Sequence, residues 1–291
     1  MSFLQYLING ISLGSVYAII ALGYTMVYGI AKMLNFAHGD VIMVGAYVIF
    51  TIISTMGYPP IVGVIVAVAL CTVLGITIER IAYKPLRGAS SLAVLITAIG
   101  VSYFLQNMAL IVFGADTKSF NSIVKFGPFH LGGLVISGET LVTIVSCIII
   151  MIILTTFINK TKAGQAMLAV SEDKGAAVLM GINVNQTIAL TFAIGSGLAA
   201  IAGALLCSAY PTLSPYTGSM PGIKAFTAAV FGGIGSIPGA FVGGILLGVI
   251  EIFGKAYISS QLSDAIVFAV LIIVLIVKPS GILGKNRQEK V

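Results

Sequence analysis

Charge is scarce in this sequence: 8% of its 291 residues are Asp, Glu, Lys or Arg, where a soluble domain typically carries about 25%. Hydrophobic residues make up 58%, and the mean hydropathy is +1.12. So few polar groups cannot cover a folded chain in water, which excludes a soluble enzyme, and so apolar a composition excludes a disordered chain. Three cysteines are too few and too scattered for a disulfide-stapled secreted domain. Cys71, Cys147 and Cys207 each lie inside an apolar stretch with no Cys/His cluster nearby. They are expected to be packed thiols, not a metal or redox centre. No Lys or Arg precedes Lys32, so the first apolar stretch lacks the basic flank of a cleaved signal and is expected to remain as a helix. An integral membrane protein is what these absences leave.

The chemical engines are missing too. Nowhere does Gly-Lys precede Ser or Thr as a phosphate loop requires, and H-E-x-x-H does not occur. An enzyme is therefore not expected, any ATPase must be another chain, and no cofactor or metal site is anticipated. Ion-coupled carriers usually place acids or histidines within their spans, whereas Asp40, Glu79, Glu139, Glu251 and Asp264 stand at span ends. Glu251 and Lys255, four apart on one helix face, read as a snorkelling ion pair at the outer boundary or as a coupling site. His130 falls in an outer loop and is expected to be solvated.

What is present is bare apolar length. A spanning helix needs about 20 apolar residues, and only helices satisfy their own backbone groups within one such segment. Spans are expected at 6–30, 41–57, 60–79, 90–113, 140–158, 186–209, 223–234, 238–254 and 262–278. The seventh, after Pro221-Gly222, is too short to cross comfortably and reads as re-entrant or broken. The fold class is all-α: a polytopic membrane protein with about 8–9 transmembrane helices, some broken or re-entrant, with 1–291 as a single transmembrane domain. With an odd number of crossings, one side holds Lys32, Arg80, Lys84, Arg87, Lys160, Lys162, Lys174, Lys278, Lys285, Arg287 and Lys290, eleven of the 15 basic residues. The positive-inside rule makes that side cytoplasmic, so the N-terminus lies outside and the tail inside. The net charge of +6 reflects this bias toward an anionic leaflet, not nucleic acid.

Small residues recur at four-residue spacing: Gly235, Gly239 and Gly243, then Gly244 and Gly248, and also Gly195, Ala199 and Gly203. Such stripes let helix backbones approach closely, within the chain, against a partner subunit or at a hinge. The connection 159–185 is too apolar for a solvated loop. Its Met167, Val170, Ala177 and Leu179 suit short amphipathic helices that either dock a partner protein or lie in the lipid interface.

That segment resembles the cytoplasmic coupling loop of ABC importer permeases. It carries Lys162–Ala166, Ala169, Glu172-Asp173, Ala177 and Gly181-Ile182-Asn183, the version found in the LivH-type permeases of branched-chain amino-acid importers, and departs slightly at Val170-Ser171. Other stretches resemble the same family: Leu13–Ile19, Leu22–Gly29, Asn35-Phe36-Ala37-His38-Gly39-Asp40, Ile78-Glu79-Arg80 through Pro85, Ala98–Asn107, Lys224–Ala240 and Pro279–Gly284. The match covers nearly the whole chain, and only the outer loop 114–139 looks free to differ.

The resemblance implies a transport subunit in a prokaryotic inner membrane. Its expected partners are a second related permease, two ABC ATPases and an extracytoplasmic amino-acid-binding protein. Leu, Ile and Val are the implied substrates; urea, amides or other amino acids are the nearest alternative, and an ion-coupled secondary carrier is a rival from another class. Coupling to the ATPases would fall to Gly164, Ala166, Glu172, Asp173, Lys174, Ala177, Gly181 and Ile182. The polar break at Asn35–Asp40 is either a cavity-lining broken helix, making Asn35, His38 and Gly39 candidates for the path, or a cytoplasmic turn with Asp40 capping the next helix. Lys224 also joins the path candidates. It opposes its helix dipole and needs a carboxylate partner, a contact with the binding protein, or exposure at the outer interface.

Overall fold

The structure is a computed structural model and describes residues 3–131 and 134–284. Its helices are α1 (Phe3–Ala31), α2 (His38–Phe50), α3 (Pro60–Ile78), α4 (Ser91–Phe113), α5 (Gly138–Lys160), α6 (Lys162–Glu172), α7 (Lys174–Leu179), α8 (Val184–Ala209), α9 (Ser219–Gly232), α10 (Ile237–Tyr257) and α11 (Ser263–Val277). π-Helical turns extend α2 over Thr51–Thr55 and α3 over Glu79–Tyr83. Among the described residues seven helices are long and apolar enough to cross a membrane, with α11 a shorter apolar helix. The segments 41–57 and 223–234 are helical from His38 and Ser219, a few residues earlier than their apolar runs suggest.

Caps mark where most helices begin. Ser90, Ser137, Thr161, Asp173, Asn183 and Ser236 each accept a hydrogen bond from a backbone N–H in the first turn of α4, α5, α6, α7, α8 and α10, as an exposed helix start demands. By contrast α2 and α9 follow Ala37 and Gly218, with no side-chain cap. Both start inside the bundle.

α1 and α8 are the buried helices and form its centre, surrounded on nearly every side. The glycines allow this. A Cβ on Gly10 or Gly14 would come within 2.8 or 2.7 Å of the α10 backbone, and one on Gly244 or Gly248 would overlap α1 at Ala18 or Gly14. α8 is similarly close to α2, where a Cβ on Gly45 would lie 2.8 Å from Ala200 Cα and one on Gly203 2.6 Å from Ile42 O. Backbones at that distance gain dispersion contacts that no bulky pair allows. Ile65 and Val73 on α3, Ile96 and Phe104 on α4, and Ile149 and Ile153 on α5 remain exposed on the periphery, as lipid-facing helices require.

The two ends of the bundle differ. At one end the carboxyl terminus of α1 meets the α9–α10 turn, where Gly29 faces Gly235. Ile282 and Leu283 donate to the carbonyls of Phe231 and Gly232, both at 2.9 Å. At the other, Phe3 and Tyr6 of α1 pack edge-on against Phe253 and Tyr257 of α10, and Gln5 donates to Val135 O at 2.8 Å. There too Lys118–Ser119 pairs antiparallel with Thr212–Leu213. Lys285, Arg287 and Lys290 lie outside the described residues.

Candidate functional site

The chain leaves α1 through Lys32, whose φ of 59° is left-handed, and turns back into the bundle without helical structure until His38. Asn35, His38 and Asp40 are buried. Depth follows from the neighbours: a Cβ on Gly23 would lie 2.5 Å from His38 Nε2, and Gly23 is eight residues, about 12 Å at 1.5 Å per residue, from the end of α1. The segment is thus a re-entrant break, not a turn at the surface.

Each polar group of the break is met from another helix. Asn35 Oδ1 accepts from Tyr83 OH at 3.0 Å, a side chain carried inward by the π-helical turn that ends α3. Asp40 Oδ1 accepts from Gln106 Nε2 at 2.9 Å, and the same amide lies 3.3 Å from Ser219 Oγ at the start of α9. Asp40 therefore does not cap α2 through its side chain; its carboxylate is turned to α4, where a buried carboxylate needs a donor. α2 and α4 keep one register over two turns, because Tyr47 and Phe113, each seven residues on, stack at 4.1 Å.

His38 packs edge-on against Tyr24 with ring centroids 4.6 Å apart, and its Nε2 has no hydrogen-bond partner among the described residues. Gly39 meets α9, where its Cβ would fall 2.6 Å from Gly218 O and 3.3 Å from Gly222 Cα. The uncapped amino termini of α2 and α9 thus touch in the interior. Both bring the partial positive charge of a helix start to one place.

Lys224, one turn into α9, is buried with 8% of its side chain exposed. Of the three compensations open to it, the structure supplies carboxylates: Glu251 Oε1 at 2.8 Å and Asp264 Oδ1 at 2.6 Å. Glu251 Oε1 also receives Lys255 at 2.6 Å, and its Oε2 receives Tyr17 OH at 2.8 Å. The Glu251–Lys255 pair exists as its spacing suggests, but only Lys255 reaches outward, since the Glu251 side chain is 1% exposed. A partly open cavity of about 400 Å³ adjoins this network, lined also by Leu13, Leu206, Met220 and Pro221.

The 159–185 connection folds as α6 and α7. Gly164 lies in the first turn of α6, where any Cβ would overlap the backbone of Phe157 and Ile158 in α5. Met167 and Val170 of α6 are buried, and so is Ala177 of α7, while Glu172 and Asp173 are exposed and Ala166 is half-buried. Asp173 Oδ1 caps α7 by accepting from Ala176 N at 3.0 Å. Gly181, at φ 78°, closes the helix: Ile182 N donates to Ala177 O and Gly181 N to Val178 O, the paired bonds of a Schellman motif. Leu179 and Met180 are left 89% and 81% exposed at this tip.

Lys174 Nζ reaches back to Ala31 O at 3.2 Å, so it satisfies an orphan carbonyl at the negative end of α1. Burial, and secondarily the nearby Arg87 guanidinium, hold its ammonium below the ordinary lysine range. Arg87 itself joins Glu79 to Asn185, fastening the end of α3 to the start of α8.

The glycines of the later helices pack inside the chain. Gly239 and Gly243 meet the backbone of α9, Gly248 meets Gly14, and Gly235, at φ 91°, faces Gly29. Tyr17, Tyr83 and Asp264 carried no signal of their own as site residues, whereas Gln106 did: an amide in an otherwise apolar span needs a buried partner. Cys71, Cys147 and Cys207 are free and buried, and among the described residues no three His, Cys, Asp or Glu gather as metal ligands.

Residues 6–275 match the family described as branched-chain amino acid transport system / permease component. The chain is 45% identical to the high-affinity branched-chain amino acid transport system permease protein BraD of Pseudomonas aeruginosa, covering 99% of this chain and 98% of that one. It is 46% identical to LivH of Salmonella typhimurium over the same shares, and 29% identical to a probable LivH permease of Methanocaldococcus jannaschii over 93% and 89%. The solved structure of PsaBC from Streptococcus pneumoniae in complex with a Fab shares the fold at a TM-score of 0.51 and 16% identity, over 96% of this chain and 93% of that one. The chain belongs to the family of permease components of branched-chain amino acid transport systems.

Proposed function

We propose that this chain is the membrane-spanning subunit of an ATP-driven importer of leucine, isoleucine and valine, seated in a prokaryotic inner membrane with its N-terminus outside and its tail in the cytoplasm. It works with a second related permease, two ABC ATPases and an extracytoplasmic binding protein. The substrate class follows from relatives named for branched-chain amino acids that match the chain end to end. The orientation follows from the basic residues gathered at one end of the bundle.

The observation that carries the mechanism is the bond from Lys174 to Ala31 O. The ATPases dock on α6 and α7 through Ala166, Glu172, Asp173 and the exposed Leu179–Met180 tip, while Gly164, Ala177, Gly181 and Ile182 fix its shape. Closure of the ATPases on ATP displaces α7, and Lys174 passes that displacement to the end of α1. From there it reaches the break beyond Lys32. Asn35, His38 and Gly39 then move against the amino terminus of α9, and the path opens to one side at a time. Lys224 lies along that path on the outer side.

The test is reconstitution of the co-purified assembly in proteoliposomes. ATP-dependent uptake of labelled leucine, isoleucine and valine is expected. Uptake without ATPases would make the chain a secondary carrier, and ATP-dependent uptake of urea or amides alone would move the substrate class.

A further inference from the structure

We propose that the cavity beside Lys224, Glu251 and Tyr17 binds the free amino acid as a zwitterion, holding its carboxylate and ammonium on the charged wall and its side chain on the apolar one. This rests on the reading of the chain as an amino-acid permease and adds where the substrate pauses within it.

Charge balance is the first argument. Lys224 and Lys255 face Glu251 and Asp264 in one connected network, two cations against two anions. Buried charges are costly unless each is matched, so a lone anion or cation entering here leaves one charge in excess. A zwitterion does not. Its carboxylate takes over a lysine contact, its ammonium takes the carboxylate so released, and the sum stays at zero throughout.

The second argument is that the network borders open volume. A clamp serving only to join α9, α10 and α11 would be packed over, yet Lys224, Glu251 and Lys255 all line the cavity of about 400 Å³. That is the size range of small-molecule pockets, which pair mostly apolar walls with a few placed polar groups. Leu13, Leu206, Met220 and Pro221 form the apolar side and suit a branched aliphatic chain, while the hydroxyl of Tyr17, already on Glu251 Oε2, remains to hold that carboxylate in place when Lys224 turns to the substrate.

Position is the third. Lys224 lies two residues beyond Gly222, which packs on Gly39. The cavity thus adjoins the contact between the amino termini of α2 and α9, the part of the path assigned to the break.

The experiment uses the whole assembly in nanodiscs with Thr217→Cys, a cavity-lining position, against native cysteines that are buried. Leucine delivered by the binding protein is expected to slow labelling of this thiol by a polar maleimide severalfold. Leucinamide, which lacks the carboxylate, and isocaproate, which lacks the ammonium, should leave the rate unchanged. Lys224→Gln should abolish the protection. Should that variant not assemble, Tyr17→Phe provides the second test, raising the leucine concentration for half-protection about tenfold, the effect of losing one hydrogen bond to a charged group. Labelling indifferent to leucine in an assembly that still imports it would overturn the site alone. Protection by phosphatidylethanolamine but not leucine would assign the cavity to lipid and overturn it equally. An assembly that imports no amino acid would instead remove the parent reading.

Discussion

Lys174 Nζ donates to the main-chain oxygen of Ala31 at 3.2 Å across 143 residues of sequence, joining the short helix α7 to the last turn of α1. One residue later the backbone turns left-handed at Lys32 and the helix stops. The contact therefore sits where α1 ends and the buried break begins, and it touches backbone, so it follows the helix whatever its side chains do.

Lys174→Met should leave the fold intact, since a cation at a helix carboxyl terminus contributes only about 0.3–1 kcal/mol, but should lower substrate moved per ATP severalfold. Lys174→Arg should restore much of it. Because burial and Arg87 hold this ammonium below the ordinary lysine range, it loses its proton, and the bond its charge, before exposed lysines do as pH rises. The transport-to-hydrolysis ratio should fall on the alkaline side, and Lys174→Arg should abolish that fall. A ratio flat with pH in the unaltered chain would count against the link.

Asp173→Lys removes the cap of α7, at a cost of about 1 kcal/mol, and puts a cation where the dipole disfavours one. It should uncouple ATP hydrolysis from uptake while insertion in the membrane is normal. Glu172→Lys on the same outward face should act likewise through the docking surface. Unchanged uptake in both would sink the assignment of α6 and α7 to ATPase contact.

Gly23→Ala places a methyl 2.5 Å from His38 Nε2. Uptake and assembly should drop sharply, and His38→Ala in the same chain should recover part of the loss by vacating the space. The two changes are expected to be non-additive by about 0.5–3 kcal/mol. Simple additivity in thermal unfolding would show that the ring does not lie against α1.

Gln106→Leu deprives Asp40 of its amide donor in a buried setting. A destabilisation of about 1–3 kcal/mol is expected, read as a lower Tm of the purified assembly, and Asp40→Asn combined with it should cost less than the sum. A Tm equal to that of the unaltered chain would contradict the pairing.

Gly239→Leu and Gly248→Leu each drive a side chain into backbone, of Gly232 and of Gly14 respectively. Neither chain should assemble, because overpacking of this kind costs about 1–3 kcal/mol or more where no flexible side chain can yield. Recovery of an active assembly from either would contradict the close approach.

The helices were legible because apolar length is a local property. Runs such as 90–113 and 186–209 end within two residues of the observed α4 and α8. The terminator Gly181 is legible for the same reason. Depth was not. Asn35–Asp40 has the same composition whether it turns at the surface or re-enters, and only Gly23, Tyr83 and Gln106, each distant in sequence, distinguish the two. Lys224 announced that it needed a partner, but not that Glu251 and Asp264, on two later helices, would provide it. Asp40 illustrates the converse error: its place in the first turn of α2 suggests a cap, and a tertiary partner on α4 overrides that local preference.

The backbone contact between α1 and α10 bears on motion. With no side chain between Gly14 and Gly248 and only the Ala18 methyl facing Gly244, the two helices have little to slide on, so they turn together as a stiff lever. The fulcrum is their glycine seam: the longer arm runs to Ala31, where Lys174 attaches, and the shorter one ends at the aromatic pairs Phe3–Phe253 and Tyr6–Tyr257. On the proposed coupling, a push at α7 then reaches the Phe3 end as a smaller swing in the opposite sense, without any helix having to unwind.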